Sequence, residues 1–169
     1  PAEHAAALRR ARDAGLPLTL HAGEADVAER VVEAIRHGAT RIGHGVRLVE
    51  ALHDPAREHL VRAVIEAGVH LEVCPTSNVH TGAATSIAAH PISALWRNGV
   101  SLSYQTDNRL MSGVTHCGEA AALLEQTALT ADDLLEMTRQ AARASFLPMD
   151  ARDAAIRRIA AYAQDRQAA

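Results

Sequence analysis

The stretch Leu18-Thr19-Leu20-His21-Ala22-Gly23-Glu24 decides the fold. A short apolar run closes on a histidine, a glycine permits a tight turn, and an acid follows three residues after the histidine. Runs of this length bounded by turn formers read as strands of a sheet buried on both faces. Working outward, four such segments are expected as strands, at residues 16–21, 41–45, 69–74 and 100–106. Helical periodicity fills the intervals, through Val27, Val31, Val32 and Ile35, then Leu60, Val61, Val64 and Ile65. It returns at Leu123 and Leu124, at Leu134, Leu135 and Thr138, and at Ile156, Ile159 and Ala163. Start signals mark several of these helices: Asp54 before Pro55, His90 before Pro91, and Thr130 three residues ahead of Asp133.

Strands alternating with helices imply parallel pairing through right-handed crossovers, hence an α/β fold. A complete eight-stranded (β/α)8 barrel of the TIM type needs about 250 residues, so four units amount to about half of one. Four strands alone leave two unpaired edges. No internal repeat, low-complexity tract or linker interrupts residues 1–169, which are expected to form one unit, with the last six, QDRQAA, fraying.

Composition narrows the function. With 48% apolar residues among 169, there is material for a sizeable core. Acidic residues exceed basic ones, 20 to 17, and the arginines are scattered, which disfavours nucleic acid as a partner. The longest apolar runs are a few residues, so neither a membrane span nor a secretory signal is expected, and a cytoplasmic address follows. Two cysteines, Cys74 and Cys117, make no disulfide framework and read as reduced thiols. The chain begins at Pro1 without an initiator Met, so it is expected to be less than the complete gene product.

Ten histidines carry the argument further. His21 closes the first strand, and the carboxyl ends of parallel strands are where such folds place their sites. There a neutral imidazole can bind a metal, and Glu24 on the following loop can reach back as a proton donor. A helix-capping Glu beside a buried His fits the same letters. In R-I-G-H-G, residues 41–45, His44 closes the second strand between two glycines that let backbone or ligand approach, although a plain turn also fits. C-P-T-S-N, residues 74–78, reads as a strand-ending turn in which Asn78 bonds its own backbone, with Cys74 a packed thiol and His80 in the loop beyond. The fourth strand leads into Asp107 and Asn108, an acid and an amide. Asp107 is a hard ligand that can complete a histidine-containing zinc or iron site, while T-D-N-R alone is an Asx turn. Strand ends carrying His, His and Asp together favour a metal site over three coincidences.

The sequence resembles the adenosine deaminase family, within the metal-dependent amidohydrolases. The resemblance rests on L-T-L-H-A-G-E at 18–24, R-I-G-H-G at 41–45, C-P-T-S-N at 74–78, H-P-I at 90–92 and T-D-N-R-L-M-S-G at 106–113, in the family's order. It implies strands five to eight of a (β/α)8 barrel and a hydrolase of purine metabolism. That enzyme uses one Zn2+ to deaminate adenosine and 2'-deoxyadenosine to the inosine forms, releasing ammonia. It further implies that His21 and Asp107 bind zinc. Glu24 then protonates the purine ring nitrogen beside the amino-bearing carbon. His44 orients and helps deprotonate the zinc-bound water, and Asn108 stands where many members carry an aspartate that bonds the purine's imidazole nitrogen.

Two departures accompany the resemblance. The family's His-x-His pair on the first strand and its base-contacting glycine have no counterpart in this chain, so zinc has two protein ligands where catalytic sites usually have three. Tyr104 and Gln105 replace a more apolar strand end, which is expected to shift that end slightly. The expected partners are a purine nucleoside and water, together with the missing amino-terminal half or a second copy of the chain. The alternatives are a catalytically incomplete half-barrel and a sister deaminase acting on adenine or a modified adenosine.

Overall fold

A computed structural model describes residues 2–168. Its centre is one parallel sheet in the order β1 (Leu18–Ala22), β2 (Ala39–His44), β3 (His70–Val73) and β4 (Leu102–Tyr104). Two residue rows running across the strands explain how it is covered. Leu20, Ile42, Leu71 and Leu102 lie in one register row, and His21, Gly43, Glu72 and Ser103 in the next. Because side chains alternate along a strand, the first row faces the helices and the second faces the opposite, polar side. Ile42, Leu71 and Leu102 are fully buried, each worth about 1.5–3 kcal/mol of transfer free energy.

The helices are α1 (Ala5–Asp13), α2 (Glu29–Arg36), α3 (Val49–Leu52), α4 (Glu58–Glu66), α5 (Pro75–His80), α6 (Ile92–Arg97), α7 (Arg109–Ser112), α8 (His116–Gln126), α9 (Ala131–Ala144) and α10 (Met149–Ala168). The core is closed by Val31 and Ala34 of α2, Leu60, Val61 and Val64 of α4, Ile92 and Leu95 of α6, Leu123 of α8, and Leu134 and Met137 of α9. α9 packs on β4, and α10 packs on α9. β1 and β4 each have one side of their ladder unpaired among the described residues, as expected for half of a closed barrel.

The expected strands are present with shifted ends. β1 starts after Pro17, which has no N–H to give a ladder. β4 stops at Tyr104, after which the Gln105 N–H makes one more bond to the Val73 carbonyl and the chain turns away. Asp54 makes an Asx turn, its Oδ1 accepting the Ala56 N–H at 3.0 Å, and α4 begins only at Glu58. Pro91 lies one residue ahead of α6, whereas Thr130 and Asp133 form the full reciprocal capping box of α9. The 164–168 stretch continues α10 instead of fraying, and Ala169 lies outside the described residues. No described helix is long and apolar enough to cross a membrane.

Candidate functional site

The sheet's carboxyl end gathers side chains that the pleat alone would separate. By parity His44 belongs to the apolar row, yet its φ of +68° breaks the alternation. Its ring then lies 5.1 Å, centroid to centroid, from the ring of His21. Asp107, just past β4, is the other described non-glycine residue with positive φ, at +53°. Left-handed backbone costs an L-residue on the order of 1–2 kcal/mol, and such strain concentrates at functional positions. The glycines flanking His44 serve packing. A Cβ at Gly43 would stand 3.1 Å from the His21 ring, and one at Gly45, where φ is +69°, would stand 2.9 Å from Leu71 Cδ1.

These residues surround a cavity of about 290 Å³ lined by His21, His44, Glu72, Cys74, Gln105 and Asp107, among others. Glu24, on the loop after β1, meets it through His44, whose Nε2 lies 3.4 Å from Glu24 Oε2. Glu24 Oε1 accepts from Asn78 Nδ2 and from Thr81 Oγ1, each at 3.0 Å. Ser77 Oγ donates to Asp107 Oδ2 at 2.7 Å. Burial pushes the His44 imidazole below its ordinary pKa, against the opposing pull of Glu24. Cys74 is buried, and its thiol is pushed up to about 12, first by burial and then by Asp107, which leaves it protonated and unreactive. Asn108 stands apart from the cavity lining: it is exposed, and its Oδ1 caps α7 by accepting the Met111 N–H at 3.0 Å. Among the described residues, no group of three or more His, Cys, Asp or Glu side chains could hold a metal ion.

One reading of the sequence is corrected. C-P-T-S-N is a short helix, α5, opened by Cys74 and Pro75, and not a turn closed by Asn78 on its own backbone. Pro at the first helical position costs nothing there, since that N–H has no helical partner. The helix turns Ser77 toward Asp107 and Asn78 toward Glu24 and His44. Its start is held by Glu119 of α8, fully buried, whose Oε1 accepts the Thr76 N–H at 3.2 Å while Oε2 has no partner. Burial raises the pKa of that carboxyl. His80 ends α5 and is exposed. Ser77, Asn78, His90 and Glu119 are polar residues that sequence reasoning did not place at the site. The available signal was a polar residue directly after a strand with a helix start behind it.

Comparison with known proteins sets this geometry in context. The family model described as adenosine deaminase matches residues 2–162. An adenosine deaminase from Mycobacterium sp. (strain JLS) is 39% identical over 162 residues, covering 92% of this chain and 45% of the relative. An adenine deaminase from Arthrobacter aurescens superposes with a TM-score of 0.87 at 24% identity, over 95% of this chain and 47% of that one. A Burkholderia ambifaria amidohydrolase solved with bound Zn gives 0.80 at 22% identity, over 100% and 47%. The chain thus spans a little under half the length of these proteins.

Proposed function

Because this chain belongs to the adenosine deaminase family, we propose that it supplies the acid, the water-orienting histidine and two metal ligands of a zinc-dependent hydrolase. That hydrolase converts adenosine and 2'-deoxyadenosine to the inosine forms plus ammonia. The observation that carries this reading is the meeting of Glu24 and His44, 3.4 Å apart, beside the cavity lined by His21 and Asp107.

The donor chemistry fits zinc in part. A neutral imidazole, His21, and a carboxylate, Asp107, are two of its usual ligands, and two more, the His-x-His pair, would come from the strands that complete the barrel. When bound, the metal would acidify a water toward neutral pH. Glu24 gives its proton to the purine ring nitrogen beside the amino-bearing carbon, which makes that carbon electrophilic. His44 orients the water that adds there; one of that water's two protons leaves with the amino group as ammonia, and the other restores the proton that Glu24 gave up. Ser77 holds one oxygen of Asp107, leaving the other for a second partner. Asn108, its oxygen already engaged, has its amide N–H groups left to donate to the purine's imidazole nitrogen.

The test joins this chain to the missing half-barrel and assays adenosine beside adenine, with metal read by native mass spectrometry. Zinc binding and adenosine turnover in the joined protein, with neither in this chain alone, are the expected results. Turnover of adenine only would reassign the substrate. A joined protein with zinc but no turnover of either would remove both substrates and leave a modified adenosine as the deaminase reading to assay.

A further inference from the structure

Behind Glu24 and His44 lies a chain of polar groups with a fixed direction. It starts at a backbone N–H, which can only donate: Ile92 N gives its hydrogen to His90 Nδ1 at 3.1 Å. A ring nitrogen that accepts carries no proton. His90 is buried, and burial holds its pKa near about 4, so the ring is neutral and its single proton lies on Nε2. That nitrogen is 3.2 Å from Asn78 Oδ1 and donates to it, which settles which end of the amide is oxygen. Both hydrogens of Asn78 Nδ2 then face the site, one to Glu24 Oε1 at 3.0 Å and one to His44 Nδ1 at 3.1 Å. His44 Nδ1 therefore accepts, and the imidazole proton belongs on Nε2, the nitrogen beside Glu24 Oε2.

We infer that Asn78 and His90 are positioning residues: the one-way relay from Ile92 N–H through His90 and Asn78 holds His44 with its proton on Nε2 and anchors the Glu24 carboxyl beside it. This deepens the deaminase reading and rests on it for the word positioning, while the relay itself is a statement about hydrogens. His44 then meets the attacking water as a hydrogen-bond donor to its oxygen, which orients the water and departs from the proton-accepting role that the family resemblance implies. Asn78 is fully buried and His90 is 4% exposed, so water cannot substitute for either link, and a broken link leaves a buried polar group unpaired.

The experiment uses the barrel completed by its other half. In protein labelled with 15N at histidine, with His44 assigned by loss of its signals in His44→Asn, the relay predicts a protonated Nε2 and an unprotonated Nδ1. A proton on His44 Nδ1 would overturn it. Asn78→Asp keeps the shape and reverses the donor, since a carboxylate only accepts. The His44 proton should move to Nδ1, and kcat should fall roughly 10- to 100-fold while KM changes little. His90→Gln, whose side-chain amide N–H can still donate to Asn78, should retain more of kcat than His90→Leu. Unchanged kcat in Asn78→Asp, or equal losses in the two His90 variants, would remove the positioning role. Because the NMR signature does not depend on turnover, a failure of the relay and a failure of the deaminase reading are told apart.

Discussion

His44 and His70 are equally buried, each 2% exposed, and they sit at opposite ends of the same sheet. At the foot, His70 lies between two hydroxyls, Ser101 Oγ at 3.0 Å from Nδ1 and Ser103 Oγ at 2.9 Å from Nε2, on unstrained backbone. Nearby, Arg41 pairs with Glu72 and stacks over Phe146, 4.6 Å from the ring centroid. Burial, then the Arg41 charge, lowers the His70 pKa to about 4, so the ring is neutral and satisfied. At the carboxyl end, His44 sits on positive-φ backbone, borders a cavity and faces a carboxylate. Burial is the same at both ends, and each histidine borders a cavity, about 290 Å³ at His44 and about 330 Å³ at His70; backbone strain and partner chemistry differ, and those two mark the candidate site.

Breaking the upper end should cost chemistry first. In the completed barrel, Glu24→Gln is expected to lower turnover roughly 100- to 10,000-fold and to keep the metal, whereas His21→Ala should lose metal as well. Metal content by native mass spectrometry alongside deamination rates checks this, and equal metal retention in both variants would sink the role assignment.

Breaking the foot should cost stability instead, with a pH signature. The unfolded chain takes up a proton on residue 70 as pH falls through the ordinary value of 6.5, while the folded chain resists until about 4. The stability that the neutral ring contributes is therefore present above pH 6.5 and lost between 6.5 and 4, on the order of 3 kcal/mol. His90, also lowered to about 4 by burial, adds a loss over the same window. Urea unfolding at the two ends of that window should show a shallower pH dependence in His70→Gln than in the unsubstituted protein. An unchanged slope would mean that His70 titrates alike folded and unfolded.

The smallest effect is expected at α9, the helix that sends Gln140 to the foot, where its Oε1 accepts the Leu102 N–H at 3.2 Å. Thr130→Ala removes the capping box and should cost about 1 kcal/mol, seen as a lowered urea midpoint, with turnover unchanged.

The ladder and the capping box were legible because local chemistry writes them: apolar runs between turn formers, and Thr130 three residues before Asp133. His21, His44 and Asp107 were legible as strand-end residues, since parallel sheets put their sites there. Asn78 was not. A turn former after a strand has a local explanation at hand, and only the fold shows that residues 24, 44 and 90 converge on it. His90 was read as a helix start, and its ring does hold the Ile92 N–H, but its second nitrogen belongs to the site. Strand ends moved where a single residue decided, as at Pro17 and Gln105. The glycines around His44 read as room for backbone or ligand, and the side chains that come close to them are those of His21 and Leu71.

The most direct test of the contrast between the two ends is kcat/KM for adenosine in His44→Gln and His70→Gln, made side by side in the completed barrel. The expected result is a loss of roughly 100-fold or more for His44→Gln and near-normal turnover for His70→Gln. Equal losses, or a larger loss at His70, would contradict it.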